Sequence, residues 1–168
     1  MKIFKKNIQK LNFYHIDHCY SFIRKEPSLN KFKNLNGWGK KSILSYLKKN
    51  NSLCFGYTYK KNLIGFIISN YTSVDKVCEV EISLIFVKKE FRRLGIARTL
   101  IDYVLEKIFF CDITNVYLEF SDTNNVAKSF YEYYGFKNIS IRKKYYFLKN
   151  NKKEDAIVLN YKKNNKIL

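Results

Sequence analysis

The stretch between residues 76 and 120 limits the possible folds more than any other part of this sequence. It begins with KVCEVEISLIFV and ends with NVYLEF, two segments whose alternation and β-branched residues predict strands. Between them Ile96, Leu100, Val104 and Ile108 recur every four residues, which predicts an amphipathic helix from about residue 95 to about residue 110. A strand–helix–strand unit favours a right-handed crossover, so we expect the two strands to be parallel and to be neighbours or close to it.

The elements around this unit indicate an α/β fold. HIDHCYSFIRK and GWGKKSILSYLKKNN predict helices, and SLCFGYTYK and LIGFIISNY predict strands around a short KN turn. SDTNN supplies N-cap residues for a helix that ends at Gly135, and FKNISIRKKYYF and DAIVLNYK predict the last two strands. The order predicts an α/β sandwich with one central, mixed, mostly antiparallel sheet flanked by helices. We expect one domain over residues 1–161 and a flexible basic tail over residues 162–168.

Charge is the most unusual feature of the composition. Among 168 residues, 32 are Lys or Arg and 14 are Asp or Glu, which gives a formal net charge of +18. Such a surplus can indicate a polyanionic partner such as RNA or a ribosome. The lysines are scattered along the whole chain in KK and KN pairs rather than along one helix face, which favours a coding bias. We therefore expect only a weak, nonspecific contact with RNA.

Cysteine spacing and hydropathy argue against metal binding, secretion and membrane insertion. Cys19, Cys54, Cys78 and Cys111 form no C-x-x-C pair and no zinc-ligand spacing, so we expect reduced cysteines and no metal. The basic first residues lack the continuous apolar core of a signal peptide. No apolar run approaches the ~20 residues that span a bilayer. These features predict a cytoplasmic protein without a membrane partner.

The segment FRRLGIARTL, residues 91–100, predicts an anion site. Arginines are unusual at the start of a helix because the helix dipole is positive there. A tight glycine turn between a strand and a helix brings free backbone N–H groups and the dipole together, and Arg92, Arg93 and Arg98 add charge-assisted donors. This combination fits a pyrophosphate, although the spacing matches neither the P-loop nor the G-x-G-x-x-G pattern. The alternative is an ordinary strand-to-helix turn with solvated arginines.

Four blocks of sequence resemble one enzyme family. Arg92-x-x-Gly95-x-Ala97 resembles the R/Q-x-x-G-x-G/A signature of the GNAT acetyltransferases, and YLEFSDTNNVAKSFYEYYGF resembles a second block of that family. RKKYYFLKNNKKEDAIVL resembles the ending of its RimI-type branch, and NGWGKKSIL resembles that branch more loosely. Enzymes of this branch acetylate the N-terminal alanine of a ribosomal small-subunit protein. The resemblance covers about residues 36–161 and is strongest from residue 79 onward.

The resemblance implies that acetyl-CoA is the cosubstrate and that no metal takes part. The end of one strand would bind the pantetheine arm, the glycine turn would bind the pyrophosphate, and an asparagine at a helix start would touch the cofactor. In this sequence those positions are Ile85, Phe86, Val87, Arg92, Arg93, Leu94, Gly95, Ile96, Ala97, Arg98 and Asn124. Phe86 is bulkier than the residue usual in the family, which could narrow the slot for the acetyl group.

The resemblance also implies two catalytic residues. Glu119 matches the general base, and Tyr131 matches the general acid that protonates the departing CoA thiolate. Each has a plainer interpretation, since a glutamate on a strand often faces solvent and most of the 14 tyrosines should lie in the core. Glu79 and Glu81 are rival bases because other GNAT branches use that strand.

Substrate preference is the least constrained part of the interpretation. Tyr145 and Tyr146 match paired tyrosines at the peptide entrance of N-terminal acetyltransferases, whereas His15 and His18 are expected on a helix face. The acceptor predicted first is therefore a protein N-terminus, in a monomer or weak dimer. The alternatives are acetyl transfer to a lysine side chain, polyamine or small amine, and a basic module that binds RNA or ribosomes.

Overall fold

The computed structural model describes residues 7–33 and 37–164, which form one mixed sheet with helices packed against it. The strands are β1 (Ile8–Lys10), β2 (Phe55–Tyr59), β3 (Asn62–Val74), β4 (Val77–Val87), β5 (Ile113–Ser121), β6 (Lys137–Phe147) and β7 (Lys153–Asn164). The helices are α1 (Ile16–Lys25), α2 (Pro27–Asn30), α3 (Lys40–Lys48), α4 (Ile96–Lys107) and α5 (Asn125–Tyr134). The strand order is β1-β2-β3-β4-β5-β7-β6. The predicted fold class is confirmed.

Strands β4 and β5 are the only parallel neighbours among the described strands, as the strand–helix–strand pattern predicts. Their register runs from Val77 opposite Ile113 to Ile82 opposite Leu118, and then stops. Beyond that point β4 continues beside β3, while β5 continues beside β7. The sheet therefore divides into two arms, and the last residues of β4 present an unpaired edge.

A bulge in β4 lies at this fork. Ile68 of β3 pairs with Leu84 and Ser69 pairs with Ile82, so Ser83 has no partner in the register. An extra residue reverses which side chains face which layer. Before the bulge Ile82 packs with the core under α4, and after it Leu84 and Phe86 pack with the core under α1 and α3.

Two hydrophobic cores hold the helices on opposite faces of the sheet. Helix α4 contributes its predicted stripe to the larger core, with Ile96, Leu100 and Val104 all at most 1% exposed. Helices α1 and α3 contribute Cys19, Ile23 and Ile43 to the second core. A third, smaller cluster lies beneath the β6–β7 hairpin. Burial of apolar faces on both sides of one sheet is what fixes the fork in place.

The structure corrects three sequence predictions. Ile8–Lys10 forms a strand where only helices were expected before residue 50, because these three residues pair with the edge of β2. Strand β7 extends to Asn164, so residues 162–164 pair with β5 instead of forming a loose tail; the rest of the tail lies outside the described residues. Cys78 and Cys111 are joined in a disulfide, with Cα atoms 5.8 Å apart, whereas Cys19 and Cys54 are free and buried.

The cysteine pairing was missed because the parallel strands create it. Cys78 lies at the start of β4 and Cys111 lies just before β5, so the two are 33 residues apart in the chain and adjacent in space. Within the part of the chain that the structure describes, no helix is long and apolar enough to cross a membrane.

Candidate active site

The fork between β4 and β5 opens into a cavity of about 1490 Å³. Its walls come from the end of β4, the turn before α4, the end of β5, helix α5 and strand β6. Segment 26–33 and residues near the start of α3 close the remaining side. Every residue that the sequence assigned to a cofactor or substrate role lines this cavity except Leu94, which packs against the large core.

The glycine turn has the geometry expected of an anion site. Gly95 adopts a left-handed conformation, with φ of 78°, at the N-cap of α4. Side chains disfavour this conformation, which explains why a glycine stands there. Among the described residues no side chain caps this helix, and its first turn carries no acidic residue. The first N–H groups of α4 and the positive end of its dipole are thus available to a negatively charged ligand.

The three arginines of the turn differ in their contacts. The Nε of Arg92 donates to the carbonyl oxygen of Val87 at 2.9 Å, and its Nη2 pairs with the carboxylate of Glu26. Arg98 lies 3.8 Å from Asp102 and over the ring of Tyr134. Arg93 is exposed in a left-handed conformation, with φ of 62°. Arg92 is therefore a structural tie as well as a candidate phosphate ligand.

The last residues of β4 form the next wall. Ile85 and Val87 pack toward the large core, and Phe86 is buried on the opposite side. The Phe86 ring lies 5.3 Å from the ring of Phe22 and 5.6 Å from the ring of Phe66. This aromatic stack fixes the position of the strand edge that faces the cavity.

Helix α5 brings two predicted residues to the cavity. The side-chain oxygen of Asn124 caps the helix by accepting from the N–H of Ala127 at 3.1 Å, so this residue serves as N-cap and also lines the cavity. Tyr131 is 6% exposed and packs against Phe120 and Phe136. Burial raises the pKa of Tyr131 well above its ordinary value, which keeps its hydroxyl protonated near neutral pH.

Glu119 reaches the cavity from β5, next to the end of the β4–β5 pairing. Its Oε2 accepts a hydrogen bond from Nη1 of Arg142 at 2.8 Å, and the guanidinium carbon of Arg142 lies 3.8 Å from the centre of the Tyr145 ring. The hydrogen bond to Glu119 raises the pKa of Arg142 above its ordinary value. Sequence reasoning did not single out Arg142, although its position ahead of the paired tyrosines is a visible signal.

The paired tyrosines have different environments. Tyr145 is half-buried beside Arg142, and burial followed by its hydrogen bond to Glu119 raises its pKa. Tyr146 is 5% exposed and packs against Phe32, with ring centres 4.9 Å apart. Both line the cavity, but Tyr146 also holds segment 26–33 against the β6–β7 hairpin.

Segment 26–33 crosses the cavity and is fixed at both ends. At one end Glu26 pairs with Arg92 of the glycine turn. At the other end Nζ of Lys31 donates to Glu154 at 2.7 Å and to Thr123 at 2.8 Å. Burial alone would raise the pKa of Glu154, but hydrogen bonds from Lys31 and Ser121 outweigh it and lower that pKa below its ordinary value. The sequence signal for this segment was modest, namely a proline at the first position of a short helix.

The EDA segment has a separate structural role for each residue. Glu154 binds Lys31. Asp155 accepts two hydrogen bonds of 2.7 Å, one from the backbone N–H of Lys144 and one from Nζ of Lys143. Ala156, which lies in β7, is fully buried in the small hydrophobic cluster with Phe32 and Tyr146. Asp155 thereby fixes the bulge of β6, where Arg142 pairs with Ala156 and Tyr146 pairs with Glu154.

Other candidate residues fall into two groups. Glu81 lines the cavity, whereas Glu79 is not part of the lining among the described residues. His15 binds Asn12 and Gln9 near the start of the chain, away from the cavity. The described residues contain no group of three His, Cys, Asp or Glu side chains that could hold a metal ion.

A comparison with known proteins finds matches over most of this chain. A family model described as an acetyltransferase (GNAT) domain matches residues 26–146, which is more than half of the chain. The [ribosomal protein bS18]-alanine N-acetyltransferase of Haemophilus ducreyi is 29% identical over 103 residues, which cover 61% of this chain and 68% of that protein.

Two solved structures share the fold. The ribosomal-protein-S18-alanine N-acetyltransferase of Escherichia coli gives a TM-score of 0.75 at 23% identity and covers 92% of each chain. Arabidopsis thaliana NAA60 in complex with acetyl-CoA gives a TM-score of 0.73 at 17% identity, covering 92% of this chain and 96% of that chain. At these identities the similarity shows the fold alone.

Proposed function

Because the chain belongs to the GNAT acetyltransferase family, we propose that it transfers acetyl from acetyl-CoA directly to the α-amino group of a protein N-terminus. The predictions of the family and of an acetyl-CoA-dependent N-acetyltransferase are confirmed. The observation that carries the finer proposal is the meeting of Glu119 and Tyr131 in one cavity, at the fork where β4 offers an unpaired edge.

In this proposal the cofactor lies along β4. Its pyrophosphate occupies the N-terminus of α4, where Gly95, Ile96 and Ala97 offer backbone N–H groups and Arg93 and Arg98 add charge. Its pantetheine arm runs along the unpaired edge of Ile85, Phe86 and Val87, with Asn124 on the opposite wall. This placement brings the thioester to the fork.

The reaction needs one base and one acid. Glu119 takes a proton from the acceptor amine, directly or through a water, and the amine nitrogen then attacks the carbonyl carbon of the thioester. The new C–N bond forms, the C–S bond breaks, and Tyr131 gives its proton to the departing sulfur. Since burial raises the pKa of Tyr131, this hydroxyl is protonated when the thiolate leaves. Backbone N–H groups at the unpaired edge of β4 polarise the thioester carbonyl.

Glu81 remains a rival base. It lies on β4, lines the same cavity and forms no ion pair among the described residues, whereas Glu119 is paired with Arg142. We favour Glu119 because it is the first residue of β5 beyond the β4–β5 pairing and because it accepts a hydrogen bond from Tyr145. Comparison of Glu119→Gln with Glu81→Gln separates the two assignments.

The preference for a protein N-terminus rests on the shape of the acceptor end. Segment 26–33, Trp38 and the tyrosines Tyr145 and Tyr146 enclose the approach to Glu119. An α-amino group has a pKa of about 8 against about 10.4 for lysine, so a carboxylate base suits it better near neutral pH. The relative from Haemophilus ducreyi supports the same class, and we propose a ribosomal protein terminus beginning with alanine as the natural acceptor.

Several finer predictions remain part of the proposal. A cytoplasmic location and a monomer or weak dimer fit an enzyme that meets new N-termini. The net charge of +18 supports a weak, nonspecific contact with RNA near the ribosome. A module that only binds RNA is disfavoured by a cavity lined by both a carboxylate and a protonated tyrosine.

The test uses two peptides and mass spectrometry after incubation with acetyl-CoA. One peptide has a free N-terminal alanine, and the matched peptide has a blocked N-terminus and internal lysines. We expect acetylation of the alanine peptide alone. Acetylation of lysine alone would move the acceptor to side-chain amines, and acetylation of neither would leave small amines as the remaining acceptor class.

A further inference from the structure

The carboxylate proposed as the base is already occupied by a cation of the same chain. Arg142 donates from Nη1 to Oε2 of Glu119 at 2.8 Å, and both residues line the cavity. The side chain of Arg142 is 51% exposed, and that of Glu119 is 31% exposed. An amine that is to lose its proton to Glu119 must therefore reach a carboxylate that Arg142 now binds.

The position of Arg142 does not depend on this ion pair. The bulge of β6 is fixed by Asp155, which binds the backbone N–H of Lys144 and the side chain of Lys143. Strand β6 lies at the edge of the sheet, with β7 as its only neighbour among the described strands. The guanidinium of Arg142 can thus leave Glu119 without disturbing the backbone, and its existing contact with the Tyr145 ring, 3.8 Å from the ring centre, can hold it once the hydrogen bond is lost.

The charged groups around Glu119 are few. Tyr145 and Tyr146 face it from β6, and burial raises the pKa of each, so both are neutral near neutral pH. Tyr131 from α5 is neutral for the same reason. Glu81 from β4 adds a negative charge to the cavity wall. Arg142 is the cation that faces Glu119 among the described residues.

We propose that Arg142 is a positioning residue. In the empty site its guanidinium occupies the place beside Glu119 that the acceptor's ammonium group takes when it binds. Arg142 pairs with Glu119 while the acceptor groove is empty, and an arriving N-terminal ammonium takes its place at the carboxylate, while the guanidinium keeps its stacking on the Tyr145 ring. The inference rests on the proposed function, because it requires Glu119 to be the base. It explains why a basic side chain stands at the mouth of a site for a basic substrate.

Removal of Arg142 should separate acceptor binding from cofactor binding. In Arg142→Gln the internal competitor is gone, so we expect the KM for the alanine peptide to fall about two- to fivefold, the range of an exposed ion pair. The KM for acetyl-CoA should stay unchanged. The kcat at saturating peptide should change less than this KM, because Arg142 itself transfers no proton.

The experiment measures kcat and both KM values for five proteins and one control variant. They are the wild type, Arg142→Gln, Arg142→Lys, Glu119→Gln and the double variant. Arg142→Lys keeps the charge and loses the planar stacking, so its acceptor KM should fall below that of the wild type but less far than in Arg142→Gln. In the Glu119→Gln background, Arg142→Gln should no longer change the acceptor KM. Lys137→Gln, an exposed lysine on the same strand outside the cavity lining, is the matched control.

The outcomes distinguish the two levels of the argument. If Glu119→Gln keeps a normal kcat, the base assignment fails, and the role of Arg142 fails with it. If Glu119→Gln loses most of its kcat but Arg142→Gln retains the wild-type acceptor KM, the role of Arg142 alone is wrong. Thermal unfolding of each variant identifies a folding defect, and if Arg142→Gln does not fold, an unchanged acceptor KM in Arg142→Lys overturns the proposal.

Discussion

The two ends of the cavity are built in different ways. The cofactor end comes mainly from one continuous run, from the fork at Ile82 to the first turn of α4, with Asn124 added from the start of α5, and its ligand groups are largely backbone N–H groups. The acceptor end is assembled from side chains of separate segments, including Lys31, Glu119 and Arg142. The difference teaches that a ligand common to a whole family can be bound by local backbone geometry, whereas acceptor choice depends on long-range contacts.

The largest expected effect tests the chemistry at the acceptor end. Glu119→Gln and Tyr131→Phe should each lower kcat by about a hundredfold or more, since each removes a proton-transfer group, while the KM for acetyl-CoA stays unchanged. Steady-state kinetics with the alanine peptide measures both quantities. Glu132→Gln, an exposed glutamate on α5, is the control. Normal rates in Glu119→Gln together with a large loss in Glu81→Gln would transfer the base role to β4.

The next effect tests whether the cofactor end depends on its backbone. Gly95→Ala places a side chain at a φ of 78°, which should cost about 1–2 kcal/mol of stability and weaken CoA binding about tenfold. Calorimetric titration with CoA measures the affinity. Gly135→Ala is matched in strain, with a φ of 113° at the end of α5, and should lose stability without losing affinity. Equal affinity loss in both variants would show that the effect is general destabilisation.

The smallest effect tests the tie between segment 26–33 and the hairpin. Glu154→Gln should lower stability at neutral pH by about 1–2 kcal/mol, because it weakens a charge-assisted contact with Lys31. The pKa of Glu154 is lowered in the folded protein, so its contribution is present above its ordinary pKa of 4.5 and is lost as the pH falls below that value. The unfolding free energies of wild type and variant, measured with denaturant, should therefore converge as the pH falls from 4.5 through the lowered pKa of Glu154.

The same variant sharpens the comparison of the two ends. If segment 26–33 shapes only the acceptor groove, Glu154→Gln should raise the KM for the peptide several-fold and leave the KM for acetyl-CoA unchanged. An equal rise in the KM for the peptide and the KM for acetyl-CoA would mean that the pairing of Glu26 with Arg92 transmits the disturbance to the glycine turn.

Prediction from sequence worked best where the signal is local. The period of Ile96, Leu100 and Val104 predicted α4 and its buried face, and Gly95 marked the turn at its start. It worked less well at the edges, since β1 has three residues and no recognisable pattern of its own. The pairing of Cys78 with Cys111 was not predicted, because the two residues come together only once β4 and β5 lie side by side.

The sequence by itself determined the order of elements from β2 onward, the parallel pair at the centre and the glycine turn at Gly95, because periodicity and glycine chemistry act within a few residues of the chain. The tertiary structure decided where β4 and β5 separate, that Arg92 is tied to Glu26, and that Arg142 binds Glu119. These contacts join residues 23 to 66 positions apart. They arise from packing on both faces of one sheet, which no local pattern encodes.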